Sequence, residues 1–225
     1  MEAFPAIFLI TDDAVLADAI PAQLQHALGA TVQQAATLEA ATPHFSPSPP
    51  AMVMVDLATS DITEEAVHSL RRDHPLMGLV LLGTPHTNQA DEQTFSTLPL
   101  TAYAARPLAI RPLIRSLEYL AYARKVSAGG QALPLDEEIR FLPAQNRLAW
   151  DGHDAIDLTD KEGAVLLCLY HHRHAAVPRQ LLLEEVWGYG EGIDTHTLET
   201  HLSRLRQKLK AIPGGEDWIR SHQGT

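Results

Sequence analysis

Short apolar runs alternate with longer, helically spaced segments through the first half of the chain. The runs fall at 8–10, 52–55, 79–82 and 102–105, with a weaker one at 31–32. Unbroken apolar stretches this short suit central strands of a parallel sheet covered on both faces. Segments 14–28, 62–72 and 110–125 carry the three-to-four spacing of amphipathic helices. Alternation of this kind predicts a doubly wound α/β domain with right-handed crossovers. After residue 134 the pattern changes. Segments 139–142, 147–150 and 155–158 alternate apolar with polar positions, which is the period of short antiparallel strands. Three helices are predicted behind them. The first opens on Thr159-Asp160-Lys161-Glu162, a T-x-x-E capping box. The second starts at Pro178, a favoured first-turn residue, and ends at Trp187-Gly188. The third covers 194–210 and stops before Pro213-Gly214-Gly215.

Three stretches break these patterns: ATPHFSPSPPA at 41–51, LGTPHTNQ at 82–89 and VSAGGQALP at 126–134. The last follows a helix and carries Gly129-Gly130, so it reads as an interdomain linker. The chain therefore divides into 1–125, a linker at 126–134, and a second domain at 135–225.

Composition narrows the class. Apolar residues make up 45% of the 225 positions and charged residues 20%, an ordinary globular balance. No apolar run approaches the roughly 20 residues that span a bilayer. The opening MEAFPAIFLITDD lacks the basic region of a secretory signal, and Cys168 has no second cysteine to pair with. These features predict a cytoplasmic protein without a membrane segment. A net charge of −11 argues at first against a nucleic-acid partner.

Carboxylates fall where the strands of the first domain end. Asp12 and Asp13 close the first run and Asp56 closes 52–55, while Thr84 follows 79–82 and Arg106 follows 102–105. Ligands of open parallel sheets bind outside the carboxyl ends of the strands. Three carboxylates on that rim would make a hard oxygen site for Mg²⁺. A hydroxyl and a cation facing them would suit a phosphoryl group.

The segments FLITDD, MVMVDL, LLGT and AYAARPL resemble the four signature segments of response-regulator receiver domains, over about 5–124. The resemblance implies a flavodoxin-like fold. It also implies phosphorylation of Asp56 by a histidine kinase, with Mg²⁺ held by Asp12, Asp13, Asp56 and the main-chain carbonyl of Ala58. Thr84, spaced 22 from the cation position, takes the conserved hydroxyl position. Tyr103 is the implied switch aromatic. The departures are specific. Arg106 stands where the family has lysine, and a planar fork replaces a compact ammonium. LATSDITEEA after Asp56 lacks the family's usual Pro and Gly, and Pro85 replaces a usual alanine.

On the third helix of the second domain, Leu198, Leu202, Leu205 and Leu209 form one apolar face. Thr197, His201, Arg204 and Lys208 follow the same spacing one residue earlier, which rotates them by about 100° into an adjacent stripe. A basic stripe beside a core stripe lets a helix seat on its domain and face the major groove. The segments LTDKEGAVLLCLYHHRHAAVPRQLLLEEVWG and DTHTLETHLSRLRQKL closely resemble the winged helix-turn-helix domain of the OmpR/PhoB subfamily. The resemblance implies groove or phosphate contacts for Thr197, His201 and Arg204, with Lys208 extending them. It implies a phosphate contact for Trp187. His196 stands where many members carry arginine. Arg206 matches the motif but lies off the stripe, as a structural ion-pair partner would. The family's wing arginine corresponds to Gln223, and with the sequence ending at Thr225 a short wing with weak minor-groove contact is expected.

Other signals read as packing. His171-His172-Arg173-His174 closes a helix, where its charge suits the dipole. Cys168 lies on an apolar helix face, and Trp150 belongs to the strand platform.

Together these resemblances imply a DNA-binding transcriptional response regulator, not an enzyme, switched by phosphorylation of Asp56. Dimers would form through the face built by the last receiver helices and strand, including 110–125, and bind tandem DNA half-sites. A close rival keeps the DNA-binding half and makes the receiver a phosphorylation-independent dimerisation module. A remote rival is a Mg²⁺-dependent phosphohydrolase, but the D-x-D-x-T and G-x-x-x-x-G-K-[ST] motifs are both missing. The charge then reads differently. Residues 126–225 hold 10 Lys+Arg against 15 Asp+Glu, yet 201–210 carries four Lys/Arg and no acid. Non-specific affinity should be weak and salt-dependent, with binding concentrated on one helix.

Overall fold

The computed structural model describes residues 4–84, 94–95, 98–128, 132–150, 152–187 and 196–221. Strands β1 (Ile7–Ile10), β2 (Val32–Ala35), β3 (Met52–Asp56), β4 (Gly78–Leu82) and β5 (Thr101–Ala104) form one sheet in the order β2-β1-β3-β4-β5. All four pairings are parallel. Every residue of β1, β3 and β4 is buried, as expected of strands covered on both faces. Alternate side chains feed two cores. Leu9, Met54, Val80 and Leu82 face one side, and Ile10, Val53, Val55 and Leu81 face the other. The strand order reverses between β1 and β3, so their carboxyl ends flank the crevice used by doubly wound folds.

Helix α1 (Ala14–Leu28) starts at Asp13, whose carboxylate accepts from the Val15 and Leu16 amides. It ends at Gly29 with φ of 64°, a left-handed cap that suits glycine. Helices α2 (Leu38–Ala41), α3 (Glu64–Asp73) and α4 (Ile110–Ala128) complete the first domain. α4 runs on through 126–128, because Val126 is itself buried.

The second domain opens with an antiparallel sheet of β6 (Leu133–Pro134), β7 (Ile139–Leu142), β8 (Arg147–Trp150) and β9 (Ile156–Asp157), in that order. The stretch 126–134 is therefore not a free linker throughout, since its ends belong to α4 and β6. Helices α5 (Asp160–His171), α6 (Arg179–Trp187) and α7 (His196–Leu209) follow. The predicted capping box is present: Thr159 Oγ1 accepts from the Glu162 amide, and Glu162 Oε2 accepts from the Thr159 amide at 2.9 Å. Among the described residues, no helix is long and apolar enough to cross a membrane.

The two domains share a core. Leu113, Leu117 and Leu120 of α4 belong to the same buried cluster as Val165, Leu182 and Val186. Polar contacts cross the same seam. Tyr119 donates to Asn146 Oδ1 at 2.5 Å, Arg115 to the Glu184 carbonyl at 3.1 Å and Lys161 to Ser116 Oγ at 3.2 Å.

Candidate functional site

The parallel register sets Ile10 beside Val55, so the residues that follow, Thr11 and Asp56, emerge at the same level of the crevice. Thr11 Oγ1 donates to Asp56 Oδ2 at 2.8 Å. Asp56 Oδ1 accepts from the Ala58 amide at 3.0 Å and from Arg106 Nη2 at 2.6 Å. Arg106 Nε donates to the Gly83 carbonyl at 2.6 Å, and its Nη1 lies 3.7 Å from Asp13 Oδ2. One guanidinium thus reaches the carboxylates of two strand ends. The Asp56 side chain has 0% exposure and that of Arg106 15%.

This arrangement brings Asp13, Asp56 and Arg106 together and leaves Asp12 exposed. The Ala58 amide donates to Asp56. Thr84 lies two residues past β4, and Tyr103 is buried on β5. Thr11 was missed. Its signal was a hydroxyl directly before the acidic pair, a position the receiver resemblance does not single out.

A divalent ion does not fit these residues as they stand. Among the described residues no three His, Cys, Asp or Glu side chains gather into a metal-holding group. Asp13 spends Oδ1 on the helix cap, and both Asp56 oxygens already have donors. Of the expected Mg²⁺ set, Asp13 and Asp56 share Arg106, Asp12 is exposed, and Ala58 meets Asp56 through its amide.

The second region is α7. Its apolar stripe packs as expected: Leu198, Leu205 and Leu209 are buried, and Leu202 is partly so. The basic stripe does not act as a unit. Arg204 is exposed. Lys208 turns inward and donates to Glu162 Oε2 at 2.6 Å and to the Asp157 carbonyl at 2.8 Å. It balances the buried carboxylate of the capping box, which takes it out of the expected phosphate-facing row. Arg206 is structural, but its partners are neutral: it donates to the Ile219 carbonyl and to Ser221 Oγ, pinning the segment after α7. Trp187 is 4% exposed and packs on His201, with ring centroids 5.4 Å apart. His201 is half-buried, and its Nδ1 is buried without a hydrogen-bond partner. Burial lowers its pKa; Glu162 opposes this, while Arg204 and Lys161 add to it. His196 and Thr197 start α7, but their side chains, like all of Gln223, lie outside the described residues.

Comparison with known proteins extends over both regions. Residues 152–225 match the family described as "Transcriptional regulatory protein, C terminal". The chain is 27% identical over 229 residues to the alkaline phosphatase synthesis transcriptional regulatory protein SphR of Synechococcus elongatus, covering 97% of this chain and 88% of that one. It is 28% identical over 233 residues to the "DNA-binding dual master transcriptional regulator RpaA" of Synechocystis, covering 98% and 93%. Over most of its length this chain is similar to OmpR/PhoB-type response regulators. Among solved structures, a RitR mutant matches the regulator's fold with a TM-score of 0.53 at 18% identity, covering 91% of this chain and 89% of that one. The order of a five-strand parallel domain before an antiparallel-sheet and helix domain is the order the regulator's sequence predicts.

Proposed function

We propose that the regulator binds double-stranded DNA through α7 and controls transcription as a dimer on tandem half-sites about one helical turn apart. The observation that carries this reading is the exposed Arg204 beside the buried Leu198, Leu205 and Leu209, which seats the helix and leaves a cation facing outward. Arg204→Ala should weaken binding to a fragment captured from the genome by the protein itself, by roughly 1–3 kcal/mol. Unchanged affinity at moderate salt, measured by fluorescence anisotropy, sinks this role for Arg204.

Two inputs compete for the receiver. The family resemblance implies phosphoryl transfer from a histidine kinase to Asp56 with Mg²⁺ as cofactor, and dimerisation through α4. The second is a receiver that works without phosphorylation. Both readings start from the same pocket, in which Asp56 is fully buried and its oxygens accept from Thr11, Ala58 and Arg106. Dimerisation through α4 would also compete with the packing of α4 against the second domain. Intact mass after incubation with Mg²⁺ and phosphoramidate separates the inputs, since a phosphoryl adduct appears only under the first.

A further inference from the structure

We propose that Arg106 is a resident cation that occupies the place of the divalent metal in the Asp56 pocket, so that the resting receiver is refractory to Mg²⁺. The inference rests on reading this pocket as the receiver's acid site. A metal at such a rim would draw two carboxylates together and offset their charge in a poorly hydrated crevice. Arg106 does both. Its Nη2 donates to Asp56 at 2.6 Å while Nη1 lies 3.7 Å from Asp13, and the side chain is fixed by a third bond from Nε to the Gly83 carbonyl. A lysine has one ammonium at the end of a flexible stem. It cannot span the same two acids while holding a main-chain carbonyl from a separate nitrogen.

Thr11 closes the other side. Its hydroxyl donates to Asp56 Oδ2, and it is itself held by the Asp13 amide at 3.1 Å. An ion entering here must displace a charged donor from Oδ1, free Oδ2 from a buried hydroxyl, and recruit a second carboxylate already capping α1. Each step removes an existing partner before a new one forms, so the pocket favours the arginine-closed state. The site distinguishes cations by shape as well as charge, because a planar fork is satisfied where a compact octahedral ion is not.

The test is calorimetric titration of the full chain with MgCl₂, beside Arg106→Lys and Thr11→Val. Wild type should give no saturable binding up to millimolar metal and no phosphoryl adduct with phosphoramidate. Arg106→Lys should gain Mg²⁺ affinity by about tenfold or more, as a charged competitor that spans both acids is withdrawn. Thr11→Val leaves the arginine in place and should stay refractory. It also supplies a second reading if Arg106→Lys proves unfolded by circular dichroism. The proposal is overturned if wild type binds Mg²⁺ as tightly as Arg106→Lys, if wild type takes up a phosphoryl group, or if Thr11→Val alone opens the site. DNA binding is measured separately through Arg204, so failure of that reading and failure of this one appear in different experiments.

Discussion

At the scale of single residues, spacing along a helix fixes which side a residue faces but not what it meets there. Lys208 shows this. Its register places it in a basic stripe, yet its amine bonds to a carboxylate 46 residues earlier in the chain. Glu162 is 1% exposed and already accepts from the Thr159 amide, so the lysine supplies the balancing charge for a buried cap. Lys208→Met keeps the apolar stem and removes that charge, leaving Glu162 short of a partner. The expected cost is about 1–3 kcal/mol in urea unfolding. A phosphate contact would instead leave stability alone and lower the salt dependence of DNA binding by about one counterion. The two measurements give opposite answers for the two roles. His201 is a residue of the same kind. Its pKa lies below the ordinary 6.5 because burial disfavours the imidazolium. As pH falls below that value the unfolded chain takes up the proton first, so His201 withdraws stability on acidification. His171 shifts in the same direction, so the informative quantity is the difference between wild type and His201→Asn. The variant should lose less stability between neutral and mildly acidic pH. Parallel curves would show that His201 carries no such linkage.

At the scale of elements, what was legible followed the physics of each signal. α1 was readable because its apolar spacing is local, and its ends coincide with an Asp13 cap and a left-handed Gly29. β1, β3 and β4 were readable because a central parallel strand must be apolar on both faces. β2 was placed too early and too short. It is an edge strand of sequence VQQA whose Gln33 and Gln34 are exposed, so an apolar-run criterion loses it. The linker was overestimated for the opposite reason. Glycine marks a break at 129–130, but nothing local reveals that Val126 is buried or that 133–134 pair with β7. The receiver pocket divides in the same way. That Asp13, Asp56 and Arg106 sit at strand ends follows from the pattern, since strand ends of a doubly wound sheet converge. That Arg106 lies across the two acids, and that Thr11 closes the pocket, depends on side-chain reach between strands 45 or more residues apart, which no local pattern encodes.

At the scale of the whole molecule, the decisive feature is a seam where two recognisable domains share a buried core. Asp160, at the first turn of α5, is 6% exposed and accepts a hydrogen bond from the main chain of Tyr103 on β5. Burial raises its pKa, with Lys161 opposing. Asn146, in a left-handed conformation with φ of 47°, places its amide against Tyr119. Gly163 makes this approach feasible: a Cβ there would come within 2.6 Å of the Tyr119 hydroxyl and collide with Asn146. With apolar residues of α4, α5 and α6 in one cluster, neither domain has a complete surface of its own on this side. The chain should therefore unfold as one cooperative unit, because exposing the seam costs apolar burial on both sides at once. Gly163→Leu places a bulky side chain in that gap without touching the Asp56 pocket or Arg204. Scanning calorimetry should show a single transition for wild type and two separated transitions for Gly163→Leu, with both domains retaining helical signal below the first. Two independent transitions in wild type would mean that the seam does not couple the domains. The same variant bears on assembly. The second domain covers part of α4, so, if dimers form through that part, releasing the seam should raise self-association in sedimentation velocity. A variant that splits the transitions yet stays monomeric would place the dimer surface elsewhere on the receiver.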